Sequence, residues 1–503
     1  MSDGSVPIEV EPDAVWRRLS PRMLLIHPIR EVGRFIPALF GILLAGRNSG
    51  HDWWSLAALG LVVVLSVLRW FTTRYQITPT QVQLRTGLFR RRTMTTPADR
   101  IRTVDVTAHA LHRVLGLARV TIGTGTSDRK KEGLVLDGLT ATTAGALRAE
   151  LLHREHRVHG PAPAIEFEEQ LVAELDPSWI RYAPFTLSGV LSAAAIIGVA
   201  WRALSQAQVD ADQVSAVRDT TRHLRDTPLI VDTIEIALVL LIIIAVLSVV
   251  GYLLAFWRFR LTRHSGGTLH VSRGLITSRN TSIEERRLRG VELSQLLPLR
   301  LVGGARLLAV ATGLRVGRGA ERGGSLLMPA CPSNEAVRVA GAVLDDPALP
   351  MQTPLVAHGP RARRRRFNRA LVPALLAWLV LDLLWWLGPL SWGWSAAGLM
   401  VPVVAGLLAR DRYAGLGHAL TENYLVSQWG SFDRRRVVLE PDGIIGWTIR
   451  QSFFQRRAGL VSLVVTTAAG KQSYRITDVE ATVGIQLARD VTPGLFDEFV
   501  LTK

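Results

Sequence analysis

The run Leu238 to Val250 carries no charge and sits inside an apolar stretch extending from Leu229 to Trp257. About 20 mostly apolar residues cross the roughly 30 Å hydrocarbon layer of a bilayer as a helix, and a helix satisfies all its backbone groups internally in lipid. That stretch therefore constrains the chain more than any other feature. Trp53 to Phe71, Ala183 to Trp201, Leu371 to Leu387 and Ser391 to Leu408 are of the same kind, the last two joined by Gly388 and Pro389. A sixth span is expected over about residues 26–46, where Ile26 to Val32 contributes and Arg30 and Arg34 snorkel or face protein. The 48% hydrophobic residues and mean hydropathy of +0.22 are gathered in these blocks, which fits about six transmembrane helices in three hairpins.

Charge placement gives the expected orientation. The net charge is +17, nearly all arginine, and cytoplasmic flanks of spans carry the excess of basic residues. Arg17, Arg18, Arg22 and Arg30 precede the first span, Arg69 and Arg74 close the second, and Arg258, Arg260 and Arg263 close the fourth. Arg361 and Arg363 to Arg366 precede the fifth, whereas the Gly388 to Trp394 turn has no charge. The Arg202 to Pro228 loop offsets its basic residues with Asp210, Asp212, Asp219 and Asp226. Both termini and the large domains are thus expected in the cytoplasm. The first 18 residues hold Asp3, Glu9, Glu11 and Asp13 and no early apolar run, unlike a cleavable signal peptide. A single cysteine, Cys331, excludes an internal disulfide framework and reads as a small buried residue.

The expected division is an N-terminal segment 1–25, hairpin 26–71, domain 72–157, linker 158–182, hairpin 183–257 with external loop 202–228, domain 258–346, basic linker 347–369, hairpin 370–409 and domain 410–503. The three domains can be laid on one another without gaps. With Gly87, Gly274 and Gly430 as anchors, an arginine follows at 26 residues in each (Arg113, Arg300, Arg456) and a glycine at 29 (Gly116, Gly303, Gly459). Ile101, Leu288 and Ile444 coincide, as do Val104, Val291 and Trp447. In the first copy strands are expected over Tyr75 to Leu84, Arg90 to Thr96, Ile101 to Thr107, Leu117 to Ile122 and Gly133 to Asp137, then a helix over Thr140 to His153. The other copies end in expected helices at Asn334 to Leu344 and Thr477 to Val491, the latter with Thr477 and Glu480 at capping-box spacing. Short strands followed by one helix predict a small barrel or sandwich.

Arg74 to Thr78, Thr86 to Arg91, Asp99 to Val104 and Arg113 to Leu117 resemble the bacterial pleckstrin-homology-like (PH-like) membrane domain, and three such copies alternating with hairpins resemble the YdbT-like membrane proteins over nearly the whole chain. Arg258 to Thr262, Arg273 to Ile276, Arg287 to Val291 and Arg300 to Gly303 repeat the pattern. In the third copy Gly415 to His418 replace the opening polar strand, and Asp442 and Gly443 stand where the others have arginine. The resemblance implies an α+β membrane protein whose cytoplasmic PH-like domains are seven-stranded β-barrels, each closed by a C-terminal helix. It also implies a loose link to envelope integrity and resistance to membrane-active compounds.

The chemistry-bearing candidates are few. His153, His156 and His159 lack a carboxylate or cysteine to complete a metal site, and His109 and His112 read as surface residues of a turn. No P-loop, nucleophile elbow or paired carboxylates are present, so no enzyme, cofactor or metal is expected. Arg113, Arg300 and Arg456 read either as equivalent lipid or anion contacts or as arginines capping a turn. Arg90 to Arg92 and Arg434 to Arg436 read as exposed strand charges. The Arg361 to Arg369 run, with Arg363, Arg364, Arg365 and Arg366, reads as a topology signal that meets anionic headgroups, not nucleic acid. Asp232 and Glu235 lie near the outer end of their span. Asp382 lies deeper, as a bundle-facing acid or part of a polar pathway. The expected function is a multi-pass, non-enzymatic scaffold of a bacterial inner membrane. It would bind anionic inner-leaflet lipid and another membrane protein with a PH-like domain, in membrane homeostasis or envelope stress. The rival is a transporter or flippase-like protein for lipid or amphipathic compounds.

Overall fold

Among the described residues, three runs of six strands are each followed by a helix, in the order set by the sequence repeat. The computed structural model describes residues 16–25, most of 60–123, 134–153, 169–186, 198, 202, 229–313, 325–388 and 391–495. The expected first span lies outside the described residues, as do nearly all of Ala183 to Trp201, His156, His159 and the 203–228 loop; Trp53 to Phe71 is described only in part.

After β1 (Arg17–Arg18), the first repeat contains β2 (Arg74–Ile77), β3 (Gln81–Thr86), β4 (Arg92–Pro97), β5 (Thr103–Ala108), the short helix α1 (Ala110–Val114), β6 (Leu117–Gly123), β7 (Leu134–Thr140) and α2 (Ala141–His153). Then come β8 (Glu169–Glu174) and α3 (Leu229–Phe256). The second repeat is β9 (Arg260–His264), β10 (Thr268–Arg273), β11 (Ser278–Glu284), β12 (Leu288–Leu296), α4 (Leu297–Leu301), β13 (Gly304–Ala311), β14 (Leu326–Pro332) and α5 (Ser333–Leu344). Helices α6 (Gly359–Trp386), α7 (Trp392–Gly398) and α8 (Met400–Ala414) precede the third. That repeat contains β15 (Gly417–Leu420), β16 (Leu425–Trp429), β17 (Asp433–Leu439), β18 (Ile444–Arg450), α9 (Phe453–Arg457), β19 (Leu460–Thr467), β20 (Ser473–Glu480) and α10 (Ala481–Val491).

The chain divides into two compact units, one of residues 1–168 and 264–283 and one of residues 169–263 and 284–503. In the first unit β1-β2-β3-β4 form one antiparallel sheet. β7-β6-β5 form the core of another, and β11 of the second repeat pairs onto β5. Its interior holds Val82, Val104, Val120, Ile122, Leu136 and Met23. In the second unit β14-β13-β12-β17-β16-β15 form a six-stranded antiparallel sheet and β18-β19-β20 a three-stranded one. Leu425, Val437, Leu463, Tyr474 and Ile476 fill the space under them.

Among the described residues each repeat has six strands and no sheet closes on itself. The expected seven-stranded closed barrel is not shown; in the first two repeats an edge of β5 and of β12 is hydrogen-bonded by a strand of the next repeat. Two local expectations are corrected. Tyr75 to Leu84 is a hairpin of β2 and β3, turned at Thr78, whose hydroxyl accepts from Gln81 N at 3.0 Å. Thr477 and Glu480 belong to β20, so no capping box forms and the helix starts at Ala481. Among the described residues three helices are long and apolar enough to cross a membrane: Ala237–Phe256, Gly359–Trp386 and Trp392–Ala414. The first excludes Asp232 and Glu235, and Glu235 is exposed.

Candidate functional site

Two arrangements recur from repeat to repeat, and they place most of the residues that the sequence singles out. The first is a clasp, in which residues that precede each repeat grip it. In the first repeat Arg22 donates from Nη1 to Leu115 O at 3.1 Å and Trp70 Nε1 donates to Ser20 O at 3.2 Å. Met23 is fully buried against Gly138, whose φ of +97° and lack of Cβ admit its side chain. In the second, Trp179 and Tyr182 are buried in the segment Pro177–Phe185, Tyr182 against Gly304. The outgoing helix α3 adds Tyr252, whose hydroxyl donates to Ala330 O at 2.8 Å.

The third clasp is ionic. The basic run is the first three turns of α6 rather than a linker, and the same helix continues into an apolar span. Arg365 Nη1 lies 2.5 Å from Asp478 Oδ1 and Arg366 Nη2 lies 2.7 Å from Asp478 Oδ2. Gln455 Nε2 donates to the same carboxylate at 2.8 Å, and Arg361 pairs with Glu480 at 3.2 Å. Asp478 is fully buried in the left-handed region at φ +62°, so it is held by its charges rather than by its backbone preference. Arg363 sits over the ring of Phe367 at 5.8 Å, while Arg363, Arg364 and Arg369 are exposed.

Behind this clasp His358 and His418 meet at 3.0 Å, both buried. His358 Nδ1 faces Thr477 O at 2.9 Å, so it donates there, and its Nε2 accepts from His418 Nδ1. Burial, with His358 as neighbour, holds His418 down at about 4, and burial also lowers His358.

The second arrangement is a joint between successive repeats. β5 takes β11 as its neighbour with Thr107 opposite Arg279 and Asp105 opposite Thr281. β12 takes β17 with Ser294 opposite Arg435 and Glu292 opposite Val437. Thr107 and Ser294 both stand 20 residues after their anchor glycines, Asp105 and Glu292 both 18, Arg279 and Arg435 both 5, so the two joints share one register. Charges join them too: Arg279 Nη2 reaches Asp105 Oδ2 at 3.4 Å and Arg435 Nη1 reaches Glu292 Oε1 at 3.4 Å. Glu292 is buried and also takes Lys471 Nζ at 2.5 Å; burial lowers Lys471, and the Glu292 charge counters it.

The candidate arginines fall at these joints. Arg113 Nη1 donates to Leu275 O at 2.6 Å, and Arg300 Nη1 donates to Ser431 O at 3.3 Å. Both carbonyls directly follow an anchor glycine, Gly274 at φ +107° and Gly430 at φ +101°, where a Cβ would lie about 2 Å from a backbone oxygen. Arg300 also bonds Asp411 at 2.7 Å, which accepts from Arg434 at 2.8 Å and Ser431 at 2.7 Å. Arg456 is exposed, and its side chain has no partner among the described residues. Arg434 to Arg436 are half-buried, not exposed, because they line the second joint. His112 is buried rather than on the surface, with Nε2 3.0 Å from Asp137, whereas His109 is exposed.

The short helices α1, α4 and α9 carry these arginines and also display large apolar side chains, with Val114 84%, Leu301 78% and Phe454 71% exposed. Between the long apolar helices, Asp382 of α6 accepts from Ser395 Oγ at 2.6 Å on the facing helix α7, while Trp378 Nε1 donates to Ser395 O at 3.1 Å. Cys331 is buried, its thiol pushed up by desolvation. The described residues contain no cluster of three metal-ligating side chains.

Residues 29–155 and 370–491 match the family model of the bacterial PH domain. The matched segments cover the first and third repeats and the residues that precede each. No curated protein and no solved structure matches the chain.

Proposed function

We propose that this chain is a non-enzymatic scaffold of a bacterial inner membrane, carrying three PH-like domains that bind anionic lipid and protein partners in membrane homeostasis or envelope defence. The match to the bacterial PH domain supports a lipid- or protein-binding module. The observation that carries the membrane part is helix α6. Its first three turns are ion-paired to the third repeat, and the rest is an apolar span. At 1.5 Å rise per residue, one stiff helix sets the distance of that domain from the leaflet. Arg363, Arg364 and Arg369 then stand at the headgroup level, and the exposed apolar residues of α9, beside Gly459 and Arg361, face the same boundary.

Each basic residue near an anionic leaflet is worth about 1 kcal/mol. Replacing Arg363, Arg364 and Arg369 by glutamine therefore lowers retention of anionic lipid by on the order of 100-fold. Native mass spectrometry of the full chain released from nanodiscs of mixed anionic and zwitterionic phospholipid reads this directly. Equal retention by wild type and variant overturns the lipid-binding half of the proposal.

A further inference from the structure

The joint between repeats is built twice and left open once. β5 and β12 each have one edge paired within their own repeat and the other covered by the next repeat's β11 or β17. β18 stands in the same place in the third repeat and, among the described residues, pairs only with β19 and ends its sheet. Its surface records the difference. β12 is almost wholly buried, whereas Ile445 is 60% and Ile449 45% exposed on β18. Arg456, at the position of Arg113 and Arg300, lacks the turn carbonyl that those two arginines grip. Strand, apolar contacts and arginine are thus present together without a neighbouring hairpin among the described residues.

Charge selects what fits. In the two filled joints the accepting strand offers a carboxylate, Asp105 or Glu292, to an incoming arginine. In β18 the equivalent of that carboxylate is Thr448, and Arg450 stands where the others have Thr107 and Ser294. The incoming residue at that register position, arginine in both joints, would oppose Arg450 directly, and like charges directly opposite destabilise a strand pair. The first repeat's counterpart of β11 and β17, β4, also ends a sheet and carries Arg92 at that same position, five residues after Gly87. A second copy is therefore rejected by its charge.

We propose that the β18 edge is a docking site for a β-hairpin of a different protein, one whose edge strand carries a carboxylate opposite Arg450. It pairs antiparallel in the register of the two internal joints, and Arg456 grips the carbonyl of its turn. This is strand addition to an open sheet edge, in which main-chain hydrogen bonds give affinity and side chains give choice. The inference gives chemistry to the protein-binding half of the function proposed above and does not depend on lipid binding.

The test uses the full chain in detergent and, as probe, a cyclised fluorescent peptide of residues 268–284, the hairpin that fills the first joint. One version keeps Arg279 and the other carries Arg279→Glu. The expected result is about tenfold tighter binding of the Arg279→Glu hairpin, with the preference inverted on a chain carrying Arg450→Glu. Arg456→Met weakens both hairpins equally. Ile449→Pro, at the position of Leu293, which faces β17 in the filled joint, removes an N–H from the open edge and abolishes binding, with thermal unfolding checking that the sheet is intact. Binding of neither hairpin, or equal binding unaffected by Arg450→Glu, overturns the proposal. So does an intermolecular disulfide between cysteines placed at Arg92 and Arg450, because the occupant is then a second copy.

Discussion

Asp478→Asn isolates the charge that holds the third clasp. Asparagine keeps the size of the side chain and tolerates the left-handed backbone at φ +62°, and its carbonyl still accepts from Gln455. What it removes is the negative charge between Arg365 and Arg366, whose side chains are only 16% and 18% exposed. Breaking a buried ion pair from one side costs roughly 3 to 5 kcal/mol, because the partner is left buried and uncompensated. Two guanidiniums that each keep some access to water put the loss at the lower end, about 3 kcal/mol. At roughly 2 to 4 °C per kcal/mol for a unit of this size, that is a fall of about 6 to 12 °C in the unfolding midpoint.

Intrinsic-fluorescence melting of the detergent-purified chain measures it, and limited trypsin digestion at Arg363 and Arg364 reports whether α6 has come loose. The control is the same substitution in a chain where Arg365 and Arg366 are methionine. There it should cost less than about 1 kcal/mol, because no buried positive charge remains to be stranded. An Asp478→Asn midpoint within 2 °C of wild type, or an equal loss in both backgrounds, refutes the ionic clasp.

Three further outcomes follow from the same geometry. His418 titrates near 4 in the fold against an ordinary 6.5, so the unfolded chain binds the proton first. The stability conferred by the neutral pair is complete above pH 6.5 and is lost as pH falls toward 4, by up to about 3 kcal/mol. Midpoints measured across that range should show this slope, and His418→Asn should flatten it. Arg300→Met removes one of the two guanidiniums on Asp411 and leaves Ser431 O without its donor, costing about 2 kcal/mol; hydrogen exchange should rise selectively in β12 and β17. Asp382→Asn keeps an acceptor for Ser395, and hydrogen bonds between membrane helices average only about 0.6 kcal/mol, so insertion and midpoint should be unchanged. A selective loss of lipid or amphipath movement in that variant would instead favour the transporter reading.

The repeat frame is legible in the sequence because anchor glycines with positive φ and the residues at fixed offsets from them are set by local backbone geometry. Gly274 and Gly430 could not be replaced without a clash. The terminal helices at Ala141–His153 and Ser333–Leu344 were likewise close to their expected bounds. Which strand neighbours which is another matter. Periodicity reports the faces of a strand and not its edges, so it leaves open whether a repeat closes on itself or pairs with the next. The signal was present in the charges: Arg92, Arg279 and Arg435 share one offset, and Asp105 and Glu292 another. Asp478 was harder to find, because nothing in an isolated aspartate announces that two arginines more than 100 residues earlier in the chain will surround it.

An array made by joining the back half of one repeat to the front half of the next has two unlike ends, and such a heterologous contact continues into a filament unless something stops it. Open sheet edges are commonly protected by charge. Here β4 begins with Arg92 next to Arg91, and β18 ends with Arg450 in place of the small polar residue of the two filled joints. The departure of the third copy from the pattern, Arg450 in place of Thr107 and Ser294, thus protects an open edge with charge. The same substitution that would let the chain accept another copy of itself, a carboxylate at position 450, is the one that would expose it to head-to-tail assembly. Arg450→Glu should therefore broaden the size distribution of the purified chain at low salt, and an added Arg92→Glu should restore it.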